Sequence, residues 1–280
     1  MKHYNALTAC LYLAENPPTP LEDSAQGANR INNVGEALEE FVKGCFAEAL
    51  GVNSHLRESR LQEVFSYLGS PNHPPDSMLR NGDAIEVKKL TGNPPQIALN
   101  SSFPKKTLLA TDPKITAECQ ACEEWTEKNL LYVVGNTADG HLRKLWIISG
   151  DCYAASSKEY EKVANAISSG VNAIPGITLS ETKELARINK VDPLGATALR
   201  VRGMWTIQSP SKLFAEVFPS DPEASFELFT LISEERYLQY PASSRDLLER
   251  STLLSVKQVT VPSPDNPEET LLARRIIFTL

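Results

Sequence analysis

No apolar run in this chain is long enough to cross a bilayer; the longest, such as Leu130–Val134 and Leu145–Ile148, fall far short of the roughly 20 residues required. The first 15 residues lack the ordered charged, apolar and small-residue zones of a secretory signal. The expectation is a soluble, cytoplasmic protein with no membrane partner. Five cysteines lie scattered at 10, 45, 119, 122 and 152, without a disulfide framework. Cys119 and Cys122 make a single C-x-x-C, but no second pair or histidine completes four zinc ligands, so the two are expected one turn apart on a helix. The four histidines (3, 55, 73 and 141) show no ligand spacing, and His73 is assigned no role despite its nearness to Asp76. Internal repeats and low-complexity linkers are absent as well.

Positive charge is also in short supply. Lys and Arg number 28 against 35 Asp and Glu, a net charge of -7. Total charge does not exclude nucleic acid, because phosphates are met by local basic surfaces. One such surface is available between 183 and 212, where Lys183, Arg187, Lys190, Arg200, Arg202 and Lys212 face only Glu184 and Asp192. The acidic surplus sits elsewhere, at 36–48, 118–127 and 221–236.

What the chain does have is alternating helix and strand patterning, hence an α/β class. Residues 35–50 follow the i, i+3, i+4, i+7 rule through Leu38, Phe41, Val42, Cys45, Phe46, Ala49 and Leu50, with Asn33 as a cap and Gly51 as a stop. Residues 83–90 alternate as a strand, with Ile85 and Val87 on one side and Glu86 and Lys88 on the other. Helices are expected over 115–128, 157–168 and 180–189, and strands over 129–135, 144–150 and 200–207. The runs 253–261 and 271–279 flank a polar, Pro-containing turn and predict a C-terminal hairpin. Pro-rich patches at 17–20, 71–75 and 262–267 read as loops. Length fits a single domain over 1–280, with a core at about 30–210 and a β-rich extension at about 211–280.

The chemistry concentrates in one stretch: Pro75-Asp76, nine residues, then Glu86-Val87-Lys88. Paired carboxylates offer hard oxygen ligands to Mg²⁺, which keeps waters and binds phosphate oxygens. Glu86 and Lys88, two apart on a strand, emerge on one face, so an ammonium stands beside the carboxylate. A tripeptide of this kind also arises as a plain surface ion pair, and the chain contains two other copies. Glu181-Thr182-Lys183 falls in a helical pattern, where i and i+2 do not face each other. Asp112-Pro113-Lys114 has a proline where a ladder strand tolerates one poorly. Asp83 rivals Asp76, but alternation places it on the Ile85 and Val87 side and ranks it second.

Asp76, Glu86 and Lys88 resemble the PD-(D/E)XK signature of the restriction-endonuclease-like superfamily. The segments Asn32–Glu39, Gly82–Lys89, Leu99–Lys105, Asp192–Gly195 and Leu199–Trp205 further resemble NgoPII-type restriction endonucleases, in the family's order and from about residue 25 to 210. The ends, 1–24 and 215–280, resemble them only loosely. The resemblance implies a restriction-endonuclease-like core, a mixed sheet flanked by helices. It implies Mg²⁺-dependent phosphodiester hydrolysis in double-stranded DNA, leaving 5′-phosphates, with Asp76 and Glu86 as metal ligands and Lys88 orienting or helping to deprotonate the attacking water. Glu39 would add a carboxylate from the amphipathic helix; a solvated helix face is its alternative.

For reading DNA, Arg200 and Arg202 are two apart on an expected strand, as base contacts or as a phosphate-binding pair. Asn100, Ser101, Ser102, Lys105 and Lys106 form a polar loop suited to phosphate. Trp205 reads as core packing. A short palindromic site (GGCC in the family's namesake) suits a two-fold homodimer, and a restriction enzyme implies a methyltransferase acting on the same sequence. The alternatives are a structure-specific or repair nuclease of the same fold, and a non-catalytic DNA-binding protein.

Overall fold

A computed structural model of the chain describes residues 2–18 and 30–280, with side chains from Glu36 onward in the second stretch. Three helices come first: α1 (Ala6–Glu15), α2 (Arg30–Phe46) and α3 (Ser54–Val64). Then follow β1 (Phe65–Tyr67), β2 (Ser77–Leu79), β3 (Ala84–Thr91), β4 (Gln96–Asn100) and β5 (Thr107–Leu109). A short α4 (Ala117–Ala121) precedes the hairpin of β6 (Glu127–Ala138) and β7 (His141–Ser149). After α5 (Gly150–Tyr153) and α6 (Ser157–Asn172) come β8 (Thr178–Leu179), β9 (Ala186–Asn189), β10 (Leu199–Val201) and β11 (Trp205–Gln208). The last part holds α7 (Pro210–Leu213), β12 (Glu227–Ser233), α8 (Glu234–Gln239), α9 (Ala242–Arg250), β13 (Ser255–Pro262) and β14 (Thr270–Thr279).

The apolar run at 130–134 forms the middle of a large mixed sheet, ordered β1-β2-β3-β6-β7-β12-β14-β13, with β5 also paired to β6. The pairs β3/β6 and β7/β12 are parallel and the remaining neighbours antiparallel. A central strand covered on both faces must be apolar throughout, which is why Leu130–Val134 does not alternate. Leu131, Val133 and Ile147 point into one core with Leu7, Leu38 and Phe46 of the helices. Tyr132, Val134 and Ile148 point into the other with Met78, Phe214 and Phe229. Two smaller ribbons stand apart: β10-β9-β8, and β11 with β4.

The mixed sheet flanked by helices is the fold expected, and β13 and β14 form the C-terminal hairpin. That hairpin is no appendage, however: β14 pairs with β12, and β12 lies against β7. The all-buried β12 escaped the sequence reading because it shows no alternation and lies within the acidic stretch at 221–236. The chain ends are tied together as well. Asn5 caps α1 and donates to Ser244 at 3.0 Å, and Cys10 touches Thr230 at 3.2 Å.

Other expectations need correction. Helix α2 begins before Asn33, so that residue lies within the helix rather than capping it, and the helix ends at Phe46, with Glu48 in the left-handed region at φ 52°. Part of the Pro-rich patch at 17–20 lies outside the described residues. The expected helix over 115–128 shrinks to α4, because β6 begins at Glu127 and stays paired through Ala138. Residues 180–189 are not helical: Ala186 and Ile188 are buried while Arg187 is exposed, the alternation of a strand, and β9 forms there. The expected strand at 200–207 is split into β10 and β11, which join different ribbons. Among the described residues no helix is long and apolar enough to cross a membrane.

Candidate active site

The hairpin from β2 to β3 carries the central residues, and its turn is pinned from beneath. Lys128 Nζ, buried, donates to the Leu79 and Gly82 carbonyls at 2.9 Å each and pairs with Glu123. Glu123 in turn accepts the Asn81 amide at 2.9 Å. On the opposite face Asp83 is fully buried, paired with Arg236 and receiving the Tyr240 hydroxyl at 2.9 Å. Asp83 is therefore a structural anchor pointing away from Glu86, and Asp76 is the acid that joins it.

Asp76 sits just ahead of β2. Its amide donates to the Ile85 carbonyl at 3.0 Å, and its Oδ2 accepts the Val87 amide at 2.6 Å. Glu86 and Lys88 leave β3 on the same side, and Lys88 Nζ lies 2.6 Å from Glu86 Oε1. Burial and then the charge of Glu86 push the Asp76 carboxyl up to about 7. Burial opposes the Lys88 charge, but Glu86, Asp76 and Glu39 together hold the ammonium above its ordinary value. Glu39, half-buried on α2, lies within electrostatic reach of Lys88 and Glu86, and burial raises its carboxyl. All three sequence-selected residues line one cleft of about 400 Å³.

Sequence reasoning missed Gly69. Its backbone, at φ 95°, runs so close to Asp76 that a Cβ there would collide with the Asp76 carbonyl oxygen. The signal available was only a glycine seven residues upstream of Asp76, too generic to single out.

The sequence pattern of the NgoPII restriction endonuclease family matches residues 4–262. The chain belongs to that family. It is 39% identical over 277 residues to the Type II restriction enzyme NgoPII of Neisseria gonorrhoeae, covering 99% of this chain and 100% of that one. No solved structure matches.

In this NgoPII-family chain the other expected residues divide into two sets. Asn100, at φ 53°, Ser101 and Ser102 line the cleft beside Asp76 and Glu86. Lys105 is engaged by Asp112 at 3.2 Å and lies over the Phe103 ring, and Lys106 pairs with Asp265 of the turn between β13 and β14. Arg200 and Arg202 do converge, and both bind Glu184, at 2.7 Å for Arg200. Each keeps more than half of its side chain exposed. Trp205 packs edge-on against Phe103 and Tyr160, with ring centroids 6.0 and 5.6 Å apart, in keeping with a packing role. The cysteine pair behaves as a helix turn: Cys122 Sγ donates to the Cys119 carbonyl. The Glu181–Lys183 copy lies in the loop before β9, not on a helix, and still makes no ladder strand.

Among the described residues no three His, Cys, Asp or Glu side chains form a ready metal cage. The donor set nonetheless suits a hard divalent cation. Asp76 spends one oxygen on Val87 and Glu86 one on Lys88. Each carboxylate keeps a second oxygen, and a cation between the two would offset both the burial and the Glu86 charge that raise the Asp76 carboxyl.

Proposed function

We propose that this NgoPII-family enzyme hydrolyses phosphodiester bonds of double-stranded DNA at a short palindrome, with GGCC the first sequence to test. The observation that carries the reading is the meeting of Asp76, Glu86 and Lys88 in one cleft. Asp76 and Glu86 would hold Mg²⁺, with Glu39 as an additional carboxylate from α2. When bound, the cation would lower the pKa of a water and offset charge developing on the phosphate. Lys88 would orient the attacking water or help deprotonate it, and stabilise the transition state. Attack in line leaves a 5′-phosphate. Asn100, Ser101 and Ser102 contact the backbone from the cleft wall, and Arg200 and Arg202 reach the DNA once released from Glu184.

The reading extends to a single domain over 1–280, since β12 and β14 continue the sheet that carries the site. A palindrome calls for a homodimer. The enzyme would act in the cytoplasm, where a methyltransferase acting on the same sequence would protect the host's DNA.

The test is incubation with a sequenced plasmid in Mg²⁺ or EDTA, beside Lys88→Ala. Discrete Mg²⁺-dependent fragments, lost in the variant, are expected, and end-sequencing gives the site and the terminal phosphate. Cuts confined to flaps or mismatches would point to a structure-specific nuclease. Binding without cleavage under any metal would leave a DNA-binding protein.

A further inference from the structure

Among the described residues, two cations in the cleft make no ion pair. Lys114 and Lys183 line the same cavity as Asp76, Glu86 and Lys88. Each closes one of the motif copies that the strand argument set aside, Asp112-Pro113-Lys114 and Glu181-Thr182-Lys183. We infer that Lys114 and Lys183 form the phosphate-binding wall of the cleft, positioning the DNA backbone against the acids. The inference rests on the endonuclease reading above.

Their bonding separates them from the other basic residues nearby. Lys114 Nζ donates to the Ser101 carbonyl, and Lys183 Nζ donates to the Pro113 carbonyl at 3.0 Å. A carbonyl orients an ammonium but does not neutralise it. Among the described residues, neither lysine has a carboxylate within ion-pair distance. By contrast Asp112 holds Lys105, Asp265 holds Lys106, and Glu184 holds Arg200 and Arg202. Lys114 is half-buried, and its own burial and the neighbouring Lys105 both work against its charge. The Asp112 carboxylate that favours that charge is already bonded to Lys105. An anion in the cleft would relieve this arrangement, and in a chain of net charge -7 such local cations must carry phosphate contact.

The contacts also connect the wall to the rest of the site. Ser101 follows β4, Lys114 precedes α4 and Lys183 precedes β9, so three separate segments are pinned into one surface. A phosphate lodged there would bear on Ser101 and Ser102, which line the same cleft.

The test measures binding of a duplex oligonucleotide spanning a mapped cut site, in EDTA, over a series of salt concentrations. Lys114→Gln and Lys183→Gln retain a donor but lose the charge. Each should flatten the slope of log K against log salt by about 0.9, and the double variant by about twice that. Lys→Arg at either position should restore the slope, which a purely structural role would not require. Lys105→Gln and Lys106→Gln should change it less. An unchanged slope in the double variant of a protein that binds and cuts overturns the inference, as does a larger fall in the Lys105 and Lys106 variants or failure of the Arg rescue. A wild-type protein that neither binds nor cuts duplex DNA overturns the endonuclease reading, and the wall with it.

Discussion

The Val87 amide donates to Asp76 Oδ2 at 2.6 Å, so the carboxylate arriving from the loop is fastened to the strand that presents Glu86 and Lys88. One backbone group thereby sets the separation of the two acids. Burial, and then the charge of the neighbouring Glu86, raise the Asp76 carboxyl to about 7, against the opposing pull of Lys88 and the Val87 amide.

That rise makes the metal-free protein pH-sensitive. Between about pH 4 and pH 7 folded Asp76 keeps a proton that the unfolded chain releases, so stability falls as pH rises through this window and levels off above it. Asp76→Asn keeps an acceptor for the Val87 amide and removes the charge. In EDTA at pH 8 it should be more stable than the parent by about 2 kcal/mol, a value reduced from the full shift for partial solvent access. Near pH 4 the gap should close. Melting curves at both pH values check this, and an equal gap at each would show that Asp76 does not titrate in that range.

Gly69 predicts a loss of activity from a position that has no reactive group. Gly69→Ala places a methyl against the Asp76 carbonyl oxygen in a backbone conformation that side chains rarely adopt. The strain should cost on the order of 1–3 kcal/mol. Cleavage should fall at least tenfold, because relief requires Asp76 to move. Activity per folded molecule, with the folded fraction taken from circular dichroism, is the measurement; wild-type turnover would mean that the loop yields without disturbing the acid.

Arg236 predicts the reverse, a residue outside the cleft whose loss destabilises the protein. Arg236→Ala leaves Asp83, fully buried, with only the Tyr240 hydroxyl as a partner. Breaking a buried pair by removing one member costs about 3–5 kcal/mol. Urea denaturation should show that loss, and the double variant Arg236→Leu with Asp83→Asn should recover part of it.

The sequence made β3 legible because Glu86 and Lys88 stand two apart with apolar Ile85 and Val87 between and beside them, and strand geometry does the rest. It made α6 and the C-terminal hairpin legible through long periodic patterns. It hid β12, whose seven residues are all buried and so do not alternate. It misled at 180–189, where short-range pattern suggested a helix and pairing with β8 and β10 formed a strand instead. Ion pairing was the least legible feature. Lys105 and Lys106 looked available in a polar loop, yet Asp265, 159 residues away from Lys106 in sequence, takes up one of them. Lys114 and Lys183 are set apart by the ion pairs they do not make among the described residues, and no local motif records such an absence.

The long reach of the Asp83–Arg236 pair and of the Asn5–Ser244 bond bears on how the enzyme is made. A nascent chain emerging from the ribosome carries α1, α2 and β3 early, but the groups that satisfy Asp83 and close over α1 follow 153 and 239 residues after their partners. Until they emerge, Asp83 at the root of β3 lacks Arg236 and the α1 face lacks Ser244. Competence to cut is thus tied to synthesis through Arg236 and Ser244, and a product truncated before them would be a poor nuclease even with every acid of the cleft in place.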